Sequence, residues 1–333
     1  MVGGYGMRER NGMAGAIEIQ MRRAWKRLSP EARRWLARVA GHVALRRAQL
    51  TVTIRGKVKG RTMPTPHTIH IRSFRSVALG RTMPYTLLLP AGYDAAGGTH
   101  YPVLYLLHGA WSNHTEWAAR TKLADHAARF PLIIVCPEGE NSCYLNGANG
   151  EQWEEYIVAD LPAHIEATCR TRAERSGRAI AGLSMGGFGA FICGMRHPNR
   201  YCAISSHSGA FHILSWEGAH DNPQFRALLG PPNSPTRQEY DPQRIIEQAI
   251  RTHGADRLPM LAMDCGVEDY PDLLASNRAL HKTMTRLGVH HFYREQPGGH
   301  DWTYWDREIR FTLQFVAAAM GVAPASDGGA VTA

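Results

Sequence analysis

The 333-residue sequence lacks the features of membrane proteins and of small disulfide-stabilised proteins. No run of about 18 apolar residues is present, so no membrane-spanning helix is expected. The first 20 residues contain no apolar stretch with a small-residue cleavage position, so no secretory signal is expected either. The six cysteines form no C-x-x-C pair and have no metal-ligand spacing. We therefore expect reduced thiols and a cytoplasmic protein, although Cys136 and Cys143 are close enough in sequence for a bridge.

Acidic residues are scarce only at the start of the chain. Residues 1–60 contain 14 Lys and Arg against three Glu, a net charge of +11, whereas the other 273 residues have a net charge of −2. The basic character therefore belongs to an N-terminal extension, and the overall pI of about 9.4 predicts no specific binding of nucleic acid.

This extension, residues 1–60, contains one predicted amphipathic helix. Ser29 is a suitable N-cap, Pro30 suits the first helical position, and apolar residues then recur at intervals of three and four, with arginines mainly on the other faces. The first interpretation is that the apolar stripe packs on the main domain. The alternative is that residues 17–50 contact an anionic surface or a partner.

The pattern from residue 61 to residue 322 predicts one catalytic domain, followed by a flexible tail at 323–333. Predicted strands lie at 68–78, 85–89, 103–107, 132–136, 178–183, 201–205, 259–265 and 290–295. Predicted helices lie at about 115–129, 152–169, 185–196, 272–287 and 302–319. This alternation predicts an α/β fold with a mostly parallel sheet of about eight strands, helices on both faces, and the first two strands as an antiparallel edge.

Residues 209–256 interrupt the alternation of strands and helices. The segment is rich in proline and is too long for a simple connection, so a lid or a wall of a substrate pocket is expected there.

The motif Gly182-Leu183-Ser184-Met185-Gly186 follows an apolar run and precedes a stretch of small and apolar residues. This context predicts a strand, a sharp turn and a helix, with Ser184 strained and exposed at the turn as a nucleophile. A serine hydroxyl needs a base within hydrogen-bonding distance, and the base needs a carboxylate that orients it.

The best candidate for the base is His300, which lies in a Gly-rich turn between the last predicted strand and the last predicted helix. The other late histidines are His281, inside a predicted helix, and His290 and His291, at the start of a strand. None of these three has the position after a strand end that the chemistry needs.

The carboxylate is expected between the serine and the histidine in sequence. Asp269, on the loop after the strand that ends near Gly266, is the preferred candidate. Glu268 and Asp272 are its rivals, and Asp264 lies within the strand, where a buried and hydrogen-bonded carboxylate is the simpler interpretation.

Acyl transfer also needs hydrogen-bond donors for the oxyanion. The backbone N–H of Met185, directly after the nucleophile, is one candidate. The other is the N–H of Ala110, with that of Trp111 as second choice, since both follow the buried strand 103–107. His108 precedes the serine in sequence and is more simply interpreted as a residue that shapes the turn.

Together these residues resemble the esterase D-type branch of the α/β hydrolases, which includes tributyrin, feruloyl and acetyl-xylan esterases, S-formylglutathione hydrolases and mycolyltransferases. The resemblance covers about residues 66–320 and is carried by Leu106–Gly109, Asn113–Trp117, Trp153 with Leu161 and Pro162, Ala181–Ala190, Cys265–Asp269 and Gly298–Trp302. It implies a Ser184–His300–Asp269 triad, hydrolysis of esters or thioesters, and no metal or organic cofactor. It says nothing about residues 1–60.

We therefore expect a serine carboxylesterase that hydrolyses a small-molecule ester with a short or aromatic acyl group. The expected pocket residues are Trp111, Tyr144, Trp153 and Trp216. One alternative is acyl transfer or thioester hydrolysis with the same triad, and another is a non-catalytic binding module on the same scaffold. A homo-oligomer is compatible with the sequence. A zinc site is a poor alternative, because His67 and His70 have no third ligand nearby.

Overall fold

A computed structural model describes residues 65–95, 97–216 and 218–324. The predicted N-terminal extension and its amphipathic helix lie outside the described residues, as do residues 325–333 of the predicted tail. Among the described residues, no helix combines the length and apolar character needed to cross a membrane. All six cysteines are free thiols.

Eight strands form one sheet in the order β1-β2-β4-β3-β5-β6-β7-β8. Their bounds are β1 Thr68–Arg75, β2 Thr82–Leu89, β3 Val103–Leu107, β4 Ile133–Pro137, β5 Arg178–Leu183, β6 Ala203–His207, β7 Met260–Gly266 and β8 His291–Gln296. β1 and β2 pair antiparallel, as do β2 and β4, and every other pair is parallel. The predicted eight-stranded, mostly parallel sheet with an antiparallel edge is confirmed.

The helices connect these strands. In chain order they are α1 Glu116–Arg120, α2 Leu123–Ala127, α3 Trp153–Glu155, α4 Leu161–Thr168, α5 Met185–Arg196, α6 Gly218–Asp221, α7 Pro223–Leu229, α8 Pro235–Glu239, α9 Pro242–His253, α10 Pro271–Arg286 and α11 Trp302–Ala319. The helices α6 to α9 belong to the predicted insertion at 209–256. Whether that insertion acts as a lid stays a prediction.

The central strands are buried on both faces. Every residue of β3, β4 and β6 is buried, because successive side chains point to opposite faces and each face is covered by helices. α5 packs against β3, β5 and β6, whereas α11 packs against β5, β6 and β7 and against α2. The continuous apolar runs of the sequence therefore correspond to strands in the middle of a three-layer fold.

The predicted helix at 152–169 contains a turn that its apolar pattern does not reveal. A π-helical segment, Tyr156–Asp160, connects α3 to α4. Pro162 has no N–H to donate to the carbonyl of Val158 four residues earlier, and the guanidinium of Arg200 donates to that carbonyl instead, at 2.9 Å. The wider turn just before the proline relieves the steric conflict of its ring.

The predicted helix at 115–129 is two short helices, α1 and α2. Thr121 adopts an extended conformation between them, and its hydroxyl accepts a hydrogen bond from the N–H of Leu123 at 3.2 Å. A threonine hydroxyl that bonds a nearby backbone N–H competes with the hydrogen bonds of a continuous helix, which explains the break between α1 and α2.

Candidate active site

Ser184 lies at the sharp turn between β5 and α5. Its φ of 53° and ψ of −119° place a non-glycine residue in a strained region of the backbone map. Two hydrogen bonds hold this conformation: the N–H of Ser184 donates to the carbonyl of His207 at 2.9 Å, and the carbonyl of Ser184 accepts from Ala210 at 3.0 Å. The predicted strand, turn and helix around this serine are therefore present.

The glycines at both ends of the motif permit a very close approach of backbone segments. A Cβ atom on Gly182 would lie 2.3 Å from the carbonyl oxygen of Gly186, and a Cβ atom on Gly186 would lie 2.5 Å from the carbonyl oxygen of His108. Both obstacles are backbone atoms, so a side chain at Gly182 forces the start of α5 away from β5, and a side chain at Gly186 forces the turn away from the end of β3.

Gly186→Ala is expected to lower the free energy of unfolding by about 1–3 kcal/mol, because the added methyl group overpacks a backbone contact. It is also expected to lower esterase activity, since the displaced segment carries Ala110. Urea unfolding and ester hydrolysis measure the two effects. Gly97→Ala, at a glycine with no heavy atom within 4 Å of the added Cβ, is the control and should change stability by less than about 0.5 kcal/mol. Equal stability of the two variants would contradict the argument.

His300 comes from the loop between β8 and α11 and faces Ser184. Its Nε2 lies 3.0 Å from the Oγ of Ser184, and its Nδ1 lies 2.9 Å from Oδ1 of Asp269. The network assigns a tautomer in which Nδ1–H donates to the carboxylate and Nε2 accepts from the hydroxyl. The ring packs edge-on against Trp305, with centroids 4.9 Å apart, and contacts Tyr270 at 5.3 Å, which fixes its orientation.

Asp269 follows the carboxyl end of β7, and its side chain is fully buried. Burial alone would raise the pKa of this carboxyl. The hydrogen bond and the charge of His300, together with the backbone N–H of Tyr270 at 2.7 Å, instead lower its pKa below the ordinary value. The carboxylate therefore stays ionised near neutral pH, where it stabilises a protonated imidazole beside it.

The rival carboxylates have other partners. Asp264 accepts hydrogen bonds from His207 and Tyr304, each at 2.8 Å, and is buried within β7. Glu268 accepts from the N–H of Gly298. The structure therefore brings Asp269, and neither of these rivals, to the imidazole of His300.

The rival histidine His281 also lies elsewhere. Its Nδ1 lies 2.8 Å from Nε2 of His291, and its ring stacks on Tyr293 with centroids 4.6 Å apart. Among the described residues, no group of three His, Cys, Asp or Glu side chains is arranged to hold a metal ion.

Two backbone N–H groups beside Ser184 have no acceptor in the described part of the chain, namely those of Ala110 and Met185. The N–H of Trp111, the second choice from the sequence, donates instead to Oδ1 of Asn141 at 2.8 Å. A Cβ atom on Gly109 would lie 3.4 Å from that of Ser184, so the segment with Ala110 runs beside the serine. This arrangement leaves the two predicted donors available to an oxyanion.

The four predicted pocket residues divide into two pairs. Trp111 and Trp216 are 69% and 39% exposed, and each packs edge-on against Phe225, with centroid distances of 5.9 and 6.3 Å. The two indoles therefore form an exposed aromatic pair that packs on the buried ring of Phe225, a residue of the insertion that the sequence did not single out.

Tyr144 and Trp153 were expected to line the pocket, but the structure buries both side chains in the core. The hydroxyl of Tyr144 donates to the carbonyl of His108 at 3.0 Å, and the indole N–H of Trp153 donates to Glu151 at 3.2 Å. Tyr144 therefore lies beneath the turn that carries Ala110, with no surface left for a substrate.

The sheet order, the strained serine after β5 and the position of the histidine before the last helix define an α/β-hydrolase fold. Residues 76–315 match the Esterase family, described as "Putative esterase", and the chain belongs to this family. It is a carboxylic ester hydrolase. The family resemblance expected from the sequence is confirmed.

Two curated relatives and one solved structure are similar to this chain. The chain is 26% identical over 223 residues to an acetyl esterase of Caldicellulosiruptor saccharolyticus, covering 64% of this chain and 82% of that one. It is 31% identical over 287 residues to an esterase of Mycobacterium tuberculosis, covering 77% of this chain and 60% of that longer relative. A solved ferulic acid esterase superimposes with a TM-score of 0.66 at 29% identity, over 76% of this chain and 99% of the other.

Proposed function

We propose that this chain is a serine carboxylesterase that hydrolyses esters with short or aromatic acyl groups through an acyl-enzyme intermediate. The observation that carries the proposal is the continuous hydrogen-bonded series from Ser184 Oγ to His300 Nε2, at 3.0 Å, and from His300 Nδ1 to Asp269, at 2.9 Å. Nucleophile, base and orienting carboxylate are within reach of one another before any substrate binds.

In the first half-reaction, Ser184 attacks the ester carbonyl while His300 takes the hydroxyl proton. The carbonyl oxygen becomes an oxyanion, which the N–H groups of Ala110 and Met185 stabilise. The tetrahedral intermediate collapses, the bond to the alcohol breaks, and His300 returns the proton to the leaving alkoxide. The buried carboxylate of Asp269 stabilises the imidazolium throughout.

In the second half-reaction, a water molecule attacks the acyl-enzyme. His300 accepts a proton from this water, the same two N–H groups stabilise the second oxyanion, and the proton is delivered to Ser184 as the acid leaves. Apart from the substrate and this water, the described residues supply every group that the steps need.

The substrate class is supported by the exposed aromatic pair of Trp111 and Trp216, which packs on the buried ring of Phe225. Trp111 is the residue directly after Ala110, so an acyl group held by the oxyanion donors would lie close to these rings. Flat aromatic walls favour short or planar acyl groups, since such groups bury their faces against the rings. The similar acetyl esterase and ferulic acid esterase fit this range.

A fluorophosphonate probe tests the proposed nucleophile directly. An activated serine oxygen forms a bond to phosphorus and expels fluoride, which leaves a stable adduct. We expect one adduct by intact mass and a peptide map that places it on Ser184. His300→Ala should abolish labelling, because the hydroxyl then has no base. An adduct on another residue, or labelling that survives loss of His300, would contradict the proposal.

The substrate class is tested with p-nitrophenyl esters from acetate to dodecanoate and with methyl ferulate. We expect kcat/KM to be largest for acetate or butyrate and to be measurable for the ferulate. A maximum at the longest chains would contradict the proposed class while leaving the nucleophile unaffected.

A further inference from the structure

Backbone strain is concentrated in two neighbouring loops. Seven non-glycine residues of the described chain have a positive φ, and four of them lie in these loops: Trp111, Glu140, Cys143 and Tyr144. We call His108–Trp111, which follows β3, the oxyanion turn, and Glu138–Tyr144, which follows β4, the support loop. Strained conformations persist only where the surroundings fix them, so contacts between these loops are expected to be specific.

The support loop holds the oxyanion turn at both ends. The hydroxyl of Tyr144 donates to the carbonyl of His108 at 3.0 Å, at the start of the turn. The side-chain oxygen of Asn141 accepts from the N–H of Trp111 at 2.8 Å, at its end. Between these two points lies Ala110, whose N–H has no acceptor in the described residues.

The direction of the Ala110 N–H is set by the peptide unit between Gly109 and Ala110. Glycine at 109 leaves that unit free to rotate unless both of its neighbours are fixed. The carbonyl of that unit, on Gly109, accepts from Nδ1 of His108 at 2.8 Å. This bond, together with the contacts that fix the carbonyl of His108 and the N–H of Trp111, removes the freedom. Asn141 also keeps the N–H of Trp111 away from the site, so that a single donor of the turn remains available.

The support itself is rigid. Tyr144 is fully buried, and Cβ atoms on Gly139 and Gly189 would lie only 2.2 and 2.5 Å from its ring, so the loop and α5 close tightly around it. The side-chain amide of Asn141 donates in turn to Gln224 of α7 at 3.2 Å, one residue before Phe225. Asn141 therefore connects the turn that carries a proposed oxyanion donor to the insertion that carries Trp216 and Phe225.

We propose that Asn141 and Tyr144 are positioning residues that aim the Ala110 N–H at the oxyanion, an inference that rests on the proposed function. Neither residue touches the reacting atoms. Their contribution is preorganisation, because a donor already aimed at the oxyanion needs no rearrangement as negative charge develops. Loss of either contact is expected to weaken transition-state stabilisation more than substrate binding.

The test uses Asn141→Ala and Tyr144→Phe, each of which removes one contact with the oxyanion turn. Loss of a whole oxyanion donor lowers kcat by about 10²–10³-fold, so misdirection of one should lower it by about 10–100-fold. KM for p-nitrophenyl butyrate should change by less than about threefold. The inhibition constant of phenylboronic acid, which forms a tetrahedral anion on the serine, should rise in proportion to the loss in kcat.

Asn149→Ala is the matched control, because exposed Asn149 also accepts a backbone N–H, that of Glu151 at 3.2 Å, but does not touch the oxyanion turn. It should leave kcat and boronate inhibition unchanged. The inference is wrong if Asn141→Ala and Tyr144→Phe match this control in both measurements while circular dichroism shows folded protein. It is also wrong if KM rises with kcat unchanged. The proposed function fails separately, if the wild-type chain hydrolyses no ester or if the fluorophosphonate probe does not label Ser184.

Discussion

Replacement of Ser184 by alanine is expected to lower kcat for p-nitrophenyl butyrate by about 10⁶-fold. Alanine has no hydroxyl, so the only proposed nucleophile is lost, and His300 has no serine proton to accept. Because the three residues act as one unit, adding His300→Ala to this variant should lower the rate no further. Initial rates at high protein concentration measure both variants, and the residual rate reports the contribution of the oxyanion donors.

Folding should be unaffected by this substitution. The strained backbone at position 184 is held by backbone hydrogen bonds to His207 and Ala210, which alanine retains. The free energy of unfolding should change by less than about 1 kcal/mol. Ser176→Ala, which removes an exposed hydroxyl that donates to Glu174, is the control for activity. Hydrolysis by the alanine variant within tenfold of the control would exclude Ser184 as the nucleophile.

The three proposed catalytic residues were predictable from the sequence because of one property of parallel sheets. Parallel strands have their carboxyl ends at the same edge, so residues directly after β5, β7 and β8 meet there, however far apart they are in sequence. The predicted ends of these three strands lie within one residue of the observed ends at Leu183, Gly266 and Gln296. Ser184, Asp269 and His300 could then be chosen by their position after a strand.

The roles of the aromatic residues were not predictable in the same way. Tyr144 and Trp153 lie in or beside irregular segments, where no periodicity tells a buried ring from an exposed one. Their polar groups suit both a buried and an exposed position, because a phenol O–H or an indole N–H can donate to a carbonyl inside the protein or to a substrate. Only the close packing of Gly139 and Gly189 against Tyr144 shows that its ring is buried.

Nothing in the sequence indicates that Asn141 contacts the oxyanion turn. Its contact with Trp111 joins residues 30 positions apart through two loops, and both loops depend on positive φ values at non-glycine residues. Local sequence preferences predict the opposite conformation at such positions. The support of a site is therefore less predictable than its reactive groups, because it depends on tertiary contacts that override local preference.

Replacement of Asp264 by alanine is expected to lower the free energy of unfolding by about 3–5 kcal/mol. The buried carboxylate accepts from Nδ1 of His207 and from the hydroxyl of Tyr304, each at 2.8 Å. Nε2 of the same histidine lies 2.9 Å from the hydroxyl of Thr312 on α11. Without the carboxylate, His207 and Tyr304 each lose the acceptor of a buried donor, and the series that joins β6, β7 and α11 is broken.

The same carboxylate makes stability depend on pH. Burial alone would raise the pKa of Asp264, but the charge and hydrogen bond of His207, followed by Arg294 and Tyr304, lower it. A carboxyl whose pKa is lower in the folded state contributes stability above the pKa of the unfolded chain, about 4, and loses that contribution as the pH falls. Asp264→Ala should therefore weaken the loss of stability below pH 4 while lowering stability at pH 7.

Urea unfolding at pH 7 and at successively lower pH values measures both effects. Asp256→Ala is the matched control, since Asp256 is exposed and should change stability by less than about 0.5 kcal/mol. Esterase activity of Asp264→Ala should fall as well, because the carbonyl of His207 holds the N–H of Ser184. If Asp264→Ala is as stable as the control at pH 7, the buried hydrogen-bonded series does not stabilise the fold.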